Sequence, residues 1–61
     1  MTIDEAILHC EEEAVAQDHD AEIAERCKDF EIAEACRECA EDHRQLAEWL
    51  RELKEYRERE V

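Results

Sequence analysis

The chain contains no glycine, no proline and no serine. Without Gly and Pro, the tight turns of β-hairpins, β-sandwiches and phosphate-binding loops lack their usual residues. Aromatic residues are also few, with only Phe30, Trp49 and Tyr56. The missing serine excludes a serine nucleophile. These absences leave an all-α protein as the expected fold class.

What the chain does contain is charge and good helix formers. Charged residues make up 46% of the sequence, a composition typical of long helices and coiled coils. A chain of 61 residues forms one small domain, 1–61, and buries only about 60% of its unfolded surface. We therefore expect that the hydrophobic core of one chain is not sufficient and that oligomerisation or a metal stabilises the fold.

Two capping patterns locate the helices. Thr2 followed by Glu5 is a capping-box pattern and predicts a first helix over about 3–17. Asp29, followed by an acidic residue in the next turn, is a suitable N-cap for a long helix over about 30–59.

The region between these helices is ambiguous. Residues 17–20 form a polar run in which the first apolar stripe ends, and a short stripe then predicts a possible middle segment over 20–28. The first helix alternatively continues through this region, since no residue there would break it.

The long helix carries a heptad seam with steps of three and four residues. The heptad seam consists of Ile32, Cys36, Cys39, His43, Leu46, Leu50, Leu53 and Arg57. Alanines at 33, 40 and 47 lie on one flank of it, and Trp49 and Tyr56 lie on the other. An apolar face this wide predicts a helical hairpin that dimerises into a four-helix arrangement. The residues expected at the oligomer seam are Ile32, Leu46, Trp49, Leu50 and Leu53.

Cysteine and histidine occupy the middle of the heptad seam. Three interpretations apply to Cys36, Cys39 and His43: zinc ligands with Cys10 as the fourth donor, ordinary core residues, or a redox pair. The zinc interpretation is strained, because Cys36 and His43 lie about 10 Å apart along the helix axis. In a simple hairpin, Cys10 also lies opposite residues 47 to 48, beyond the cluster.

The net charge of −12 limits the partners. Direct binding to nucleic acid or to an anionic membrane requires a basic surface. Residues 1–35 contain twelve acidic and two basic side chains, which predicts either a solvated surface or an acidic face for a basic partner. The candidate contacts are Glu11, Glu12, Glu13, Asp18, Asp20, Glu22 and Glu25.

Two further expectations concern chemistry and location. No histidine has a glutamate three residues before it, so the ligand pattern of di-metal carboxylate bundles is missing, and we expect no enzymatic activity. The first residues lack the charged and apolar regions of a secretory signal, so we expect a cytoplasmic protein with free or metal-bound cysteines.

On the long helix, three arginines precede glutamates by four residues and predict exposed ion pairs: Arg37–Glu41, Arg44–Glu48 and Arg51–Glu55, with Glu55–Arg59 in the reverse order.

The stretch Cys39–Lys54, together with Ala6–Glu12, resembles small helical proteins of bacteriophages and prophages of gut Firmicutes. The resemblance covers about half of the chain, and it implies a phage accessory protein in a bacterial host cell. It implies no role for any single residue.

Two functional hypotheses follow. The first is a non-enzymatic protein whose acidic face docks on a basic, nucleic-acid-handling partner and mimics nucleic-acid charge, in the manner of an anti-CRISPR inhibitor. The alternative is a zinc-stabilised helical assembly module built on Cys36, Cys39 and His43.

Overall fold

The computed structural model describes residues 1–59 and shows two α-helices. Helix α1 is Ile3–Arg26 and helix α2 is Phe30–Arg59. They pack along their length as a hairpin of 51 × 15 × 12 Å. The predicted all-α hairpin is confirmed, and the long helix has the expected bounds.

The first helix is longer than expected. The Thr2 hydroxyl accepts a hydrogen bond of 3.1 Å from the Glu5 amide, which confirms the predicted cap. The expected end near residue 17 is wrong and the alternative, a first helix that continues through this region, is confirmed: α1 runs on to Arg26 and no separate middle segment forms. The polar residues that suggested a break have partners instead: Gln17 donates to Glu13, and Asp18 pairs with Arg44 of α2.

The turn spans residues 27–29 and closes both helix ends. The amides of Lys28 and Asp29 donate to the carbonyls of Glu25 and Ala24 at 2.9 and 2.8 Å, the bonding pattern of a Schellman motif. Lys28 takes the left-handed conformation at φ 61°, where glycine is the usual residue. The Asp29 carboxylate then accepts from the Ile32 amide at 3.3 Å, so the predicted N-cap of α2 is confirmed.

Small side chains form the contact between the helices. Ala33, Ala40 and Ala47, here called the alanine seam, recur every seven residues on α2 and are at most 1% exposed. The side chains that α1 buries are Ile7, Cys10, Ala14, Ala21 and Ala24. Alanine at the contact allows two helix axes to approach to the short end of the usual 8–10 Å range. The flank of the heptad seam, and not its centre, therefore holds the hairpin together.

The larger apolar side chains stay outside this contact. Among the described residues, no large side chain is fully buried. Trp49 is 58% exposed and Leu46 is 42% exposed. Since apolar burial is the main favourable term in folding, a hairpin with so small a core gains little from it. The fold thus leaves several large apolar side chains of α2 exposed to a partner.

We predict that Ala40→Leu destabilises the protein by about 1–3 kcal/mol, because the closely packed helices must separate to admit the extra atoms. Thermal and urea unfolding followed by circular dichroism measures the change. Ala16→Leu is the matched control, since Ala16 is exposed on the face of α1 that points away from α2, and it should change stability by less than about 0.5 kcal/mol. Equal effects of the two substitutions would contradict the alanine seam.

Candidate functional site

An ion-pair row runs along one edge of the hairpin. Its members are Arg37–Glu25, Arg44–Asp18, Arg51–Glu11 and Lys54–Asp4. In the first three pairs the residues step by seven forward on α2 and seven backward on α1. This repeat sets the antiparallel register and places Ala14 level with Ala47 and Ala21 level with Ala40.

The arginines therefore pair differently from the expectation. Arg37, Arg44 and Arg51 were expected to pair with glutamates four residues later on α2, and this expectation is wrong. Each arginine instead reaches across to an acidic side chain of α1, which it can do because α1 presents an acid every seven residues on the adjoining edge. Only the Glu55–Arg59 pair forms as expected, at 2.6 Å.

Two cations of the row are held in their charged form. A hydrogen bond to Asp18 is the main cause of the raised pKa of Arg44. A hydrogen bond to Asp4 likewise raises the pKa of Lys54. Arg and Lys are charged at neutral pH in any case, and in these two pairs the acidic partner favours the charged form further.

The row divides the predicted acidic face of α1. Glu11, Asp18 and Glu25 are engaged with arginines of α2. Glu13 is half-buried and accepts a hydrogen bond of 3.4 Å from Gln17. The other three candidates, Glu12, Asp20 and Glu22, are exposed. The structure thus brings together only part of the predicted set as a free carboxylate surface.

A longer carboxylate row lies on α2, outside the acidic face that the sequence predicts. Its residues are exposed, recur every three, four or seven positions, and form no ion pair within residues 1–59. They are Glu31, Glu34, Glu38, Glu41, Glu48 and Glu52. The net charge of residues 36–61 is small, because their basic side chains offset most of their acidic ones. A sum of charges along the chain therefore does not reveal this row. The helical spacing alone would have revealed it.

The opposite edge of the hairpin carries an apolar face. We use this name for Ile32, Leu46, Trp49, Leu53 and Tyr56, which are all exposed. Four of the five residues predicted for the oligomer seam are exposed, while Leu50 is half-buried nearer to α1. Close to the turn, a shallow groove is lined by Ile23 of α1 and Ile32 of α2, so the apolar surface extends onto α1 at that end.

The candidate metal ligands are only partly brought together. Cys39 Sγ lies 3.5 Å from His43 Nδ1, and both side chains are half-buried. Cys36 is half-buried a helical turn earlier, and Cys10 is buried in the contact between the helices. Within residues 1–59, no three His, Cys, Asp or Glu side chains converge on a position suited to a metal ion. One chain therefore offers a pair of ligands and not a closed site.

Comparisons with known proteins add no family assignment. No family model, curated protein or solved structure matches the chain. Neither helix, over the residues described, has an apolar stretch sufficient to cross a bilayer.

The ion-pair row predicts a charge-swap result. Glu11→Arg places two cations together and should lower stability by up to about 1 kcal/mol at low salt, whereas Glu11→Arg with Arg51→Glu should restore most of the loss. Thermal unfolding at low and high salt measures both variants, and the single-variant loss should shrink at high salt. Glu12→Arg is the control, because Glu12 is exposed and outside the row. A double variant no more stable than the single one would contradict the register.

Proposed function

We propose that the chain is a non-enzymatic binding protein that acts as a homodimer and presents an acidic surface to a basic protein partner. The observation that carries the proposal is the separation of its surfaces. The ion-pair row occupies one edge and the apolar face the other, while the carboxylate row of α2 lies outside both. The apolar face can therefore form the dimer while the carboxylate row binds the basic partner.

The apolar face supports the homodimer. A hairpin of 61 residues with an alanine core is marginal alone, and large exposed apolar patches usually mark contact sites. The apolar face runs from Ile32 to Tyr56 of α2, which is ~36 Å at 1.5 Å per residue, so a second copy would meet it along much of the 51 Å length of the hairpin.

A second copy suits this face well. Ile32, Leu46 and Leu53 belong to one seven-residue repeat along α2, with Cys39 at the remaining position, so two copies of α2 could interlock by heptad packing around a two-fold axis. The two hairpins together would form a four-helix arrangement. The four basic side chains of the ion-pair row lie on the opposite edge and are paired with acids of α1, so they do not border the apolar face.

The charge distribution supports a basic partner for the remaining surface. Five of the eight Lys and Arg side chains form ion pairs within the hairpin or within α2. The carboxylates of this row have a mean spacing of ~6 Å along α2, with one gap of ~10 Å between Glu41 and Glu48, compared with the ~3.4 Å between phosphates along one DNA strand. Such a row would compete with nucleic acid for a basic channel.

The resemblance to phage proteins suggests the setting. In the cytoplasm of a bacterial host, the partner would be a nucleic-acid-handling enzyme, and the concrete form of the function is an anti-defence inhibitor of the anti-CRISPR kind. The contacts with the partner then come mainly from the carboxylate row, joined by the exposed acids Glu12, Asp20 and Glu22 of α1. No catalytic step is required of this chain.

We predict that Leu46→Glu converts the dimer to a monomer, because association would bury a carboxylate without a partner. The dissociation constant should rise about 100-fold or more, equivalent to ~2.7 kcal/mol, in sedimentation equilibrium. Val15→Glu is the matched control: Val15 is 67% exposed but lies beside the ion-pair row, in the groove lined by Arg44 and Arg51. A monomeric parent, or equal effects of the two variants, would contradict the dimer.

The acidic surface makes a separate prediction, tested by inhibition of purified RNA-guided DNA nucleases. Inhibition should weaken about tenfold or more between low and high salt, since charge steering is screened. The triple variant Glu34→Gln, Glu38→Gln, Glu41→Gln should lose it. A triple variant of α1, with Glu5→Gln, Glu12→Gln and Glu22→Gln, should reduce inhibition less. Inhibition that is insensitive to salt and to both triple variants would contradict charge mimicry.

Salt also separates the two associations. The homodimer brings together two chains of charge −12, so screening should strengthen it, whereas binding to a basic partner should weaken under the same conditions.

A further inference from the structure

Cys39 interrupts a row of aliphatic side chains on α2. Ile32 and Leu46 lie seven residues before and after it, and both are exposed on the apolar face. His43 follows Cys39 by one helical turn, and both are half-buried. A thiol and an imidazole therefore lie in the middle of the surface proposed to meet a second copy.

The side chains of Cys39 and His43 are in contact within one turn of α2. His43 Nδ1 lies 2.7 Å from the carbonyl oxygen of Cys39 and 3.5 Å from its Sγ. The contact with the carbonyl assigns the ring proton to Nδ1 and leaves the lone pair on Nε2. Histidines that bind zinc commonly donate their other ring N–H to a backbone carbonyl in this way. Two ligands four residues apart on a helix can bind one ion.

Cys39 and His43 supply two of the four ligands that a structural zinc site takes. Zinc in structural sites takes four ligands, commonly two cysteines and two histidines. Cys36 cannot join His43 easily, because seven residues separate them by about 10 Å along the axis. Cys10 is buried between the helices of its own chain. The missing two ligands must therefore come from another molecule.

We infer that one zinc ion binds between two copies of the chain, held by Cys39 Sγ and His43 Nε2 of each. The inference rests on the proposed homodimer, in which a two-fold axis passing near Cys39 supplies the same two ligands twice. Each thiol loses its proton on binding, so two protons are released per zinc. Two thiolates balance the charge of Zn²⁺, and the neutral site suits an apolar interface.

Native mass spectrometry of the untagged full chain tests this inference, with zinc added or EDTA added, in a reductant that contains no thiol. We expect a dimer that carries one zinc. Cys39→Ser and His43→Gln should each abolish stoichiometric zinc. Cys27→Ser is the matched control, because Cys27 is an exposed thiol in the turn, and it should retain the ion.

Cobalt binding to the parent chain gives a second readout that does not depend on how the variants fold. Cobalt(II) in the site should show the visible bands of tetrahedral coordination and a thiolate charge-transfer band. The intensity of that band should correspond to two thiolates per ion. Octahedral spectra without thiolate charge transfer would overturn the inference.

The outcomes separate this inference from the proposed function. A metal-free dimer that takes up no added zinc would overturn the zinc site and leave the homodimer standing. A metal-free monomer would overturn both. One zinc per monomer, or zinc retained in both Cys39→Ser and His43→Gln, would overturn the shared site. So would a dimer that is held by a disulfide and dissociates on reduction.

Discussion

The close contact between α1 and the alanine seam is the constraint on which the rest of the structure depends. Alanines at 33, 40 and 47 are almost inaccessible, and Ala14 and Ala21 of α1 are nearly so. Because these side chains are small, the helices lie close together and the contact uses only a narrow strip of each. The larger apolar residues of α2 are left on one side of that strip, and the arginines on the other. The three surfaces of the hairpin follow from this one narrow contact.

The ion-pair row specifies the register rather than supplying much stability. Exposed pairs of this kind contribute little each, and the alanine seam alone would tolerate a shift by one heptad. A shift of seven residues in one direction would leave Arg37 without an acid on α1, and a shift in the other direction would pair Arg51 with Asp4 and leave Lys54 without its partner. Charge therefore selects one alignment among several with similar packing. The ion-pair row also uses four of the eight basic side chains, so the surface presented to other molecules is acidic.

Much of the fold follows from the sequence, because its signals are local. Thr2 and Asp29 cap the helices as their positions predict, and the absence of Gly and Pro explains why α1 continues past residue 17. The position of the hairpin contact did not follow in the same way. Leu46 and Leu53 are more hydrophobic than Ala47, so the sequence predicts that the heptad seam forms the contact between the helices. In the structure the adjacent alanines form that contact instead. A helix that makes two contacts has two overlapping stripes, and the sequence does not say which stripe meets which partner. The cysteine and histidine positions are ambiguous for the same reason, since Cys39 and His43 lie where the two stripes meet.

The most direct test of this account is the fluorescence of Trp49, the only tryptophan, as protein concentration is varied. In the isolated hairpin its side chain is 58% exposed, although it belongs to the apolar face. The account predicts that emission shifts to shorter wavelength and that acrylamide quenching falls as concentration rises, in a single transition that Leu46→Glu abolishes. Emission typical of a solvated indole at every concentration, up to the millimolar range, would contradict it.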